Sequence, residues 1–515
     1  MIRHSAHLLT AFLALLLLGA PLPFGGVTPW AEALLRGLCF AALVLAAAAL
    51  EAPASLRPAA VPAAALAGIA LLGLLQAAPL PAGLVAAISP RHASLQQQAA
   101  ELTAPAAEAG GAGRNEAPGE PARLTLAAAA SRSAAVGWAA AAAVFLAAAV
   151  AGGRREHRRW LAGAVLTGGL FEVFFGARDW FVHSRTLWGV ELAAGAIRLR
   201  GTFVNPNHLA VYLEMALPVA FAWGWWAVRR ARDEPQLERR LLLIAPPVML
   251  WLTLFAGLSF TGSRGGLLAA VAAVTAQGFL AARVRRRWWL APLGAVAAFA
   301  GLAVVASVGL REGLGRLLTT SASDVSWVAR LHESRAVLKL WRLFPATGSG
   351  LGTFRDAFPM VQPPELPGTY WHPHSDLLEV LSTAGIAGAV LLLAGLAALL
   401  FRLVKVLAAG SRSEDRAAAL AALGALVSLA FHESFEFGLT MPGNAVTFAV
   451  LLGAAAAARV ARASSAQRDG AGKHLAAVEA LELQDVEPAP ERRRHAQRRR
   501  SVLDQKSPHG GAVEP

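Results

Sequence analysis

Charge is scarce in this 515-residue sequence. Asp, Glu, Lys and Arg make up 16% of it, against about a quarter in a typical soluble domain. With 56% hydrophobic residues and a mean hydropathy of +0.49, that shortage excludes a soluble globular fold. Cysteine is rarer still. The single copy, Cys39, lies in an apolar run, which excludes a disulfide framework or a thiolate metal site within the chain. Acidic residues are outnumbered, 33 against 47 Lys and Arg, for a net charge of +14. The arginines are confined to short segments between apolar runs and to a tail. That placement suits anionic lipid headgroups and argues against nucleic acid as a partner.

What is abundant is the apolar run of about 20 residues, the length that crosses a hydrocarbon core of about 30 Å. Twelve spans follow, over 6–21, 31–50, 59–79, 133–151, 160–177, 207–228, 241–260, 265–282, 288–309, 377–401, 417–432 and 442–461. The N-terminus (Arg3, His4, then Leu8–Ala20) imitates a signal peptide, but the many spans behind it predict an uncleaved first helix. Clusters at Arg154–Arg159, Arg229–Arg240, Arg283–Arg287 and Arg402–Arg416 fall on one side of a twelve-span alternation, together with both termini. Positively charged short loops mark that side as cytoplasmic. The loops 22–30 and 433–441 opposite carry no Lys or Arg.

The expected fold class is therefore an all-α polytopic integral membrane protein of about twelve transmembrane helices. Both termini are cytoplasmic, and a large periplasmic loop (310–376) precedes span ten. Residues 80–132 are rich in Ala, Pro, Gly and Gln and read as a poorly structured, flexible loop. Residues 178–206 and 310–376 hold Trp, His, Arg and Asn among apolar residues and are expected to fold against the membrane. Residues 462–515 read as a disordered basic cytoplasmic tail, with Arg492–Arg494 and Arg498–Arg500 as headgroup contacts.

Three polar groups fall at the outer ends of spans. Arg264 sits in Thr261-Gly262-Ser263-Arg264-Gly265-Gly266, between spans seven and eight. It reads either as a snorkelling arginine or as an anion clamp, since a guanidinium in a glycine niche suits a phosphate or diphosphate. The second group is a helix from about Ser326 to Leu343, capped by Ser323 or Asp324, with Arg330, Arg335, Lys339 and Arg342 along it. Gly348-Ser349-Gly350-Leu351-Gly352-Thr353-Phe354 follows, a turn that can bring backbone N–H groups to an anion but lacks a P-loop's Lys-Ser/Thr. Then comes Tyr370-Trp371-His372-Pro373-His374-Ser375-Asp376. Metal ligation by His372, His374 and Asp376 is weakly supported by spacing alone. His374 reads as a general base or as a helix cap. The third group is Gly201-Thr202-Phe203-Val204-Asn205-Pro206-Asn207-His208, with Glu214 two turns deeper. Its Asn205, Asn207 and His208 are candidates for sugar hydroxyls or for capping the helix. Glu172, His432, Glu433 and Glu436 are further outward polar groups without an assigned role. The distribution favours a site at the outer mouth handling a lipid-borne anion. A transporter or flippase of lipid-linked glycan without covalent chemistry is the competing class, although the matched broken helices such proteins use are not evident.

These residues resemble the O-antigen ligase and polymerase superfamily. His374-Ser375-Asp376-Leu377-Leu378-Glu379, with Gly385 eleven residues after the histidine, is similar to its His-Asn/Ser-x-x-Leu-x6-Gly motif. Arg330 and Ser263-Arg264-Gly265 match its two functional arginines. Gly201–His208 looks like the segment ahead of a central span, and His432-Glu433-Ser434-Phe435-Glu436-Phe437 like a late His-x-x-x-Asp-Phe stretch. Glu436 stands for the usual Asp, Ser375 for the commoner Asn, and Ser334 where a Trp often lies. The resemblance implies a bacterial inner-membrane glycosyltransferase without metal or other cofactor, its site facing the periplasm. The donor it implies is an undecaprenyl-diphosphate-linked glycan, and the acceptor a hydroxyl of lipid A-core or a growing polysaccharide. Within it, Arg264, Arg330 and His374 would be catalytic, with Asn205, Asn207, His208, Glu214, Arg335 and Asp376 binding substrate and Asp376 orienting His374. It divides the chain into membrane helices (1–190), a catalytic membrane region (191–461) and the tail (462–515).

Overall fold

The computed structural model describes residues 2–109, 121–192, 198–283, 325–409 and 411–461. They are mostly helical: α1 (Ile2–Gly19), α2 (Pro29–Ala49), α3 (Arg57–Ala77), α4 (Ala82–Ile88), α5 (Pro90–Ala109), α6 (Ala128–Ala151), α7 (Arg155–Phe181), α8 (Pro206–Ala231), α9 (Leu237–Phe260), α10 (Arg264–Arg283), α11 (Val325–Leu343), α12 (Phe354–Ala357), α13 (Asp376–Ala408), α14 (Ser413–His432) and α15 (Pro442–Ala456). Among the described residues, nine helices are long and apolar enough to cross a membrane, and His4–Gly19 and Pro442–Ala456 are shorter apolar helices. Together they overlie eleven of the twelve spans read from the sequence. The twelfth, 288–309, lies outside the described residues, as do Ser323, Asp324 and the tail arginines.

Alanines make up much of the buried helix surface, while many large apolar side chains face outward. Leu15, Val44, Leu71, Phe174, Leu242 and Phe401 are exposed. Such apolar surface would be unfavourable in water and is ordinary in lipid, where helix contacts rest on close packing of small side chains. This is a multi-pass membrane protein. At its centre, α8 packs against α9 and α14 and is buried without interruption from His208 to Ala220. Gln277 of α10 donates to the Pro218 and Leu420 carbonyls at 3.1 and 3.0 Å, joining three helices inside the bundle.

Helix directions give the bundle two polar rims. The basic rim holds the C-terminal end of α8 and the N-terminal ends of α7 and α14. There Asp415 receives Arg155 at 2.7 Å and Arg158 at 2.5 Å. Arg154 pairs with Glu51 at 2.6 Å, and Arg159 with Glu414 at 3.1 Å. The opposite, histidine rim holds the start of α8, α10 and α13.

The described parts of 80–132, residues 80–109 and 121–132, correct the expectation of a poorly structured loop. Besides α4 and α5, a strap at 121–127 is held by Leu80 N–H on Ala122 O, Leu124 N–H on Gln76 O and Leu126 N–H on Ser349 O, at 2.8, 3.1 and 3.0 Å. His92 is buried, its Nδ1 lies 2.8 Å from the Ser89 hydroxyl, and its ring packs on Phe344. Burial lowers this imidazole to a pKa of about 4, so it is neutral. A composition poor in large apolar groups hid the fact that Val85, Leu124 and His92 have a preformed surface to settle on. Residues 178–192 and 198–206 fold on the bundle: the strands Thr186–Leu187 and Val190–Glu191 form a short hairpin, and Trp188 donates to Leu22 O at 2.9 Å. Buried Glu172 accepts from both the backbone N–H and the hydroxyl of Thr202 at 2.7 Å, fixing the turn that leads into α8.

Candidate functional site at the histidine rim

The start of α8 sets the first part of the site. Asn205 is its N-cap, accepting Asn207 N–H at 2.9 Å, and Pro206 occupies the first helical position. The cap uses the Asn205 oxygen that the sequence offered to a sugar. Asn207 reaches further. Its Nδ2 donates to Glu436 Oε2 at 2.6 Å, and its Oδ1 accepts from Arg198 at 2.7 Å. Arg198 also donates to the Thr261 carbonyl, two residues before Ser263. Arg330 Nη2 lies 3.1 Å from the same Glu436 oxygen. Burial alone would raise the Glu436 carboxyl, but Arg330, then His432 and His208, outweigh it and hold the group below its ordinary value. Glu436, whose role was open in the sequence, thus ties α11 to α8.

Glu333, one turn along α11 from Arg330, was missed by the sequence reading. It is buried, and its Oε2 lies 2.6 Å from His374 Nδ1. Its signal was the three-residue spacing to Arg330, which puts both on one helix face. A neutral imidazole donating from Nδ1 to a carboxylate keeps Nε2 as an acceptor. The helix cap is not His374 but Ser375, whose hydroxyl accepts Leu378 N–H at 3.3 Å. Asp376 does not orient His374 either: its Oδ2 accepts Leu439 N–H at 2.8 Å. His372 turns to Glu379, at 3.0 Å. Burial opposes the His372 charge, but Glu379 outweighs it and holds the imidazole above its usual range. His208, His372 and His374 all pack on Phe437, with ring centroids 5.0, 5.5 and 5.4 Å away. His208 is buried and its Nε2 has no partner among the described residues.

Arg264 opens α10, half-buried, just after Gly262 at φ +63°. The flanking glycines do not leave an empty niche around it. A Cβ on Gly265 would fall 2.6 Å from the His432 ring, and one on Gly266 would fall 2.9 Å from Glu214 Oε1. The glycines let α10 close on a buried ion pair, His432 Nδ1 to Glu214 Oε1, at 2.7 Å. Ser428 donates to the other Glu214 oxygen at 3.0 Å. Glu214 is therefore a partner of His432 inside the bundle and not a group at the mouth. His432 in turn lies 3.4 Å from the Ser263 hydroxyl, so the Arg264 turn and the 432–437 segment are neighbours. Arg335 is exposed. It lies around α11 from the face shared by Arg330 and Glu333, and the structure does not bring it into the cluster.

The Gly348–Thr353 turn has a packing role in place of the anion-binding one the sequence allowed. Ser349 and Gly350 N–H donate to Ser382 and Thr383 carbonyls, at 2.9 and 3.1 Å. Leu351 N–H donates to Gln76 at 2.9 Å. A Cβ on Gly348 would meet the Thr383 backbone at 2.2 Å, and Gly385, at φ +64°, abuts the Ala346 carbonyl in return. Two backbones touch here, which explains the glycine eleven residues after His374.

A family model described as O-antigen ligase matches residues 248–393, a stretch that contains Arg264, Arg330, Glu333, His374 and Gly385. No curated protein matches the chain.

Proposed function

Because that stretch places the chain in the O-antigen ligase and polymerase superfamily, a family of enzymes acting on glycans, we propose that the histidine rim transfers a glycan from an undecaprenyl-diphosphate carrier to an acceptor hydroxyl. The acceptor is lipid A-core for a ligase, or a growing polysaccharide for a polymerase; the chemistry is shared. The oxygen of the acceptor attacks the anomeric carbon of the donor, and the bond from that carbon to the diphosphate oxygen breaks. His374 Nε2 takes the acceptor proton, while Glu333 holds the ring through Nδ1 and stabilises the imidazolium. A positioned base of this kind contributes roughly 10²–10⁴ in rate. Arg330 and Arg264 neutralise the departing undecaprenyl diphosphate, each such donor contributing about 3–4 kcal/mol. Asn207 and Glu436 aim Arg330, and His208, with a ring nitrogen unpartnered among the described residues, is the remaining candidate for a sugar hydroxyl.

The observation that carries this reading is the Arg330–Glu333–His374 arrangement. One helix face supplies both an anion-binding guanidinium and the carboxylate that orients a base, at the rim where the Arg264 turn also lies.

The same reading places the rim at the periplasmic face of a bacterial inner membrane. The four Arg/Lys clusters then lie in the cytoplasm, with both termini, and 288–309 completes twelve spans. No step calls for a metal. The test is reconstitution with purified lipid-linked repeat units, with and without lipid A-core. Chain growth without core marks a polymerase, and transfer to core marks a ligase. Glycan that crosses the membrane unchanged, with no transfer, would overturn the proposal in favour of a flippase.

A further inference from the structure

Two carboxyl groups at the histidine rim have no part in the transfer just described. Asp376 opens α13, two residues after His374; Glu433 follows α14, between His432 and Glu436. Each anchors the 433–439 segment with one oxygen. Asp376 Oδ2 accepts Leu439 N–H at 2.8 Å, and Glu433 Oε2 accepts Gly438 N–H at 2.7 Å. Asp376 N–H also donates to the Glu436 carbonyl at 3.3 Å. The other two oxygens, Asp376 Oδ1 and Glu433 Oε1, are buried with no donor among the described residues. Their anchors are consecutive N–H groups, those of Gly438 and Leu439, which brings the two side chains together.

Ionised carboxylates only accept hydrogen bonds. A bond between two of them requires a proton on one; without it, two negative charges face each other in a site largely closed to water. The nearby groups do not relieve this. On the Asp376 side stand Glu379 and His372, which already pair with each other. On the Glu433 side stands Glu214, already engaged by His432, and Arg330 is engaged by Glu436. Burial first, and then the charge of Asp376, push the Glu433 carboxyl well above the ordinary carboxylate range.

We infer that Asp376 and Glu433 share a single proton, and that this proton fastens the His374 end of α13 to the segment whose Glu436 holds Arg330. The pair positions the base relative to the guanidinium and touches neither substrate. Its effect on turnover rests on the transfer reading; the shared proton does not. In the unfolded chain Glu433 releases its proton near about 4.3, whereas the folded pair keeps one. Raising the pH above that value therefore works progressively against the closed rim, and the loss is complete once the folded pair gives up its proton.

Glu433→Gln tests this, because a glutamine accepts Gly438 N–H through its oxygen and donates to Asp376 through its amide, with nothing to titrate. Wild-type transfer should fall on the alkaline side. The E433Q enzyme should stay within about threefold of wild type at neutral pH, with its alkaline fall moved up by about one pH unit or more. Adding Asp376→Asn sets two amide donors face to face, and the double variant should lose what E433Q retained. Infrared difference spectra of the purified protein should show a protonated-carboxyl stretch at neutral pH that E433Q removes. An unmoved alkaline limb in E433Q, or no such band in the wild type, would overturn the inference. A band that E433Q removes, in protein without transferase activity, would uphold the shared proton and sink the transfer reading instead.

Discussion

The two rims solve the problem of charge at a membrane boundary with different partners. At the basic rim, carboxylates meet arginines: Arg155 and Arg158 converge on Asp415, and both stay charged at any physiological pH. At the histidine rim, carboxylates meet imidazoles in His374–Glu333 and His372–Glu379, beside the Arg330–Glu436 pair, with His432–Glu214 deeper in the bundle. Imidazoles exchange protons near neutrality. The first arrangement is a lock. In the second, the carboxylate of the His374–Glu333 pair holds Nδ1 and leaves Nε2 as the acceptor that general-base chemistry demands. The imidazole–carboxylate pairs, and not the number of ion pairs, set the histidine rim apart.

Substitutions can break this comparison, beginning where the effect is largest. His374→Ala should lower transfer by roughly 10²–10⁴ with helix content unchanged, measured per folded molecule with lipid-linked donor in proteoliposomes. At the basic rim, Asp415→Ala strands two buried or half-buried guanidinium groups. It should cost about 3–5 kcal/mol of stability, read by thermal melting in detergent, while turnover per folded molecule holds. If the two variants had the same phenotype, the rims would not differ in kind. Arg330→Lys and Arg264→Lys should each lower turnover by about 10²–10³, since an ammonium cannot bind a diphosphate bidentately. Silence at both positions would make them structural. Glu333→Gln should cost about 10–100-fold, as loss of an orienting partner does, with the larger effect on kcat. Smallest is Asn205→Ala, a lost helix cap, expected to cost about 1 kcal/mol of stability and little turnover. A large rise in KM there would return Asn205 to substrate binding.

The fold was largely legible in advance because hydrophobic run length is a local property. Eleven expected spans coincide with apolar helices of the structure, and α11 begins within a residue of where its pattern put it. The site was half legible. Arg264, Arg330 and His374 stand out because they are polar groups at helix ends away from the arginine-rich loops. What joins them does not: Glu333 to His374 spans 41 positions, and Asn207 to Glu436 spans 229. No spacing rule reaches that far. The glycines misled for a related reason. Around Gly348 and Gly265 they look like anion-binding turns, but the space they leave is filled by the Thr383 backbone and the His432 ring. Sequence shows that bulk is missing and not what takes its place. Residues 80–109 and 121–132 misled in the opposite direction, their few apolar groups being sufficient once a partner surface exists.

The account stands on His374 acting as a base beside a departing diphosphate. Its most direct test is release of undecaprenyl diphosphate from a lipid-linked glycan donor, followed in proteoliposomes containing wild-type protein or His374→Ala, with acceptor present and chelator added. Acceptor-dependent release by the wild type, unaffected by chelator and nearly abolished in the variant, is the predicted result. Equal release by both proteins would contradict the account.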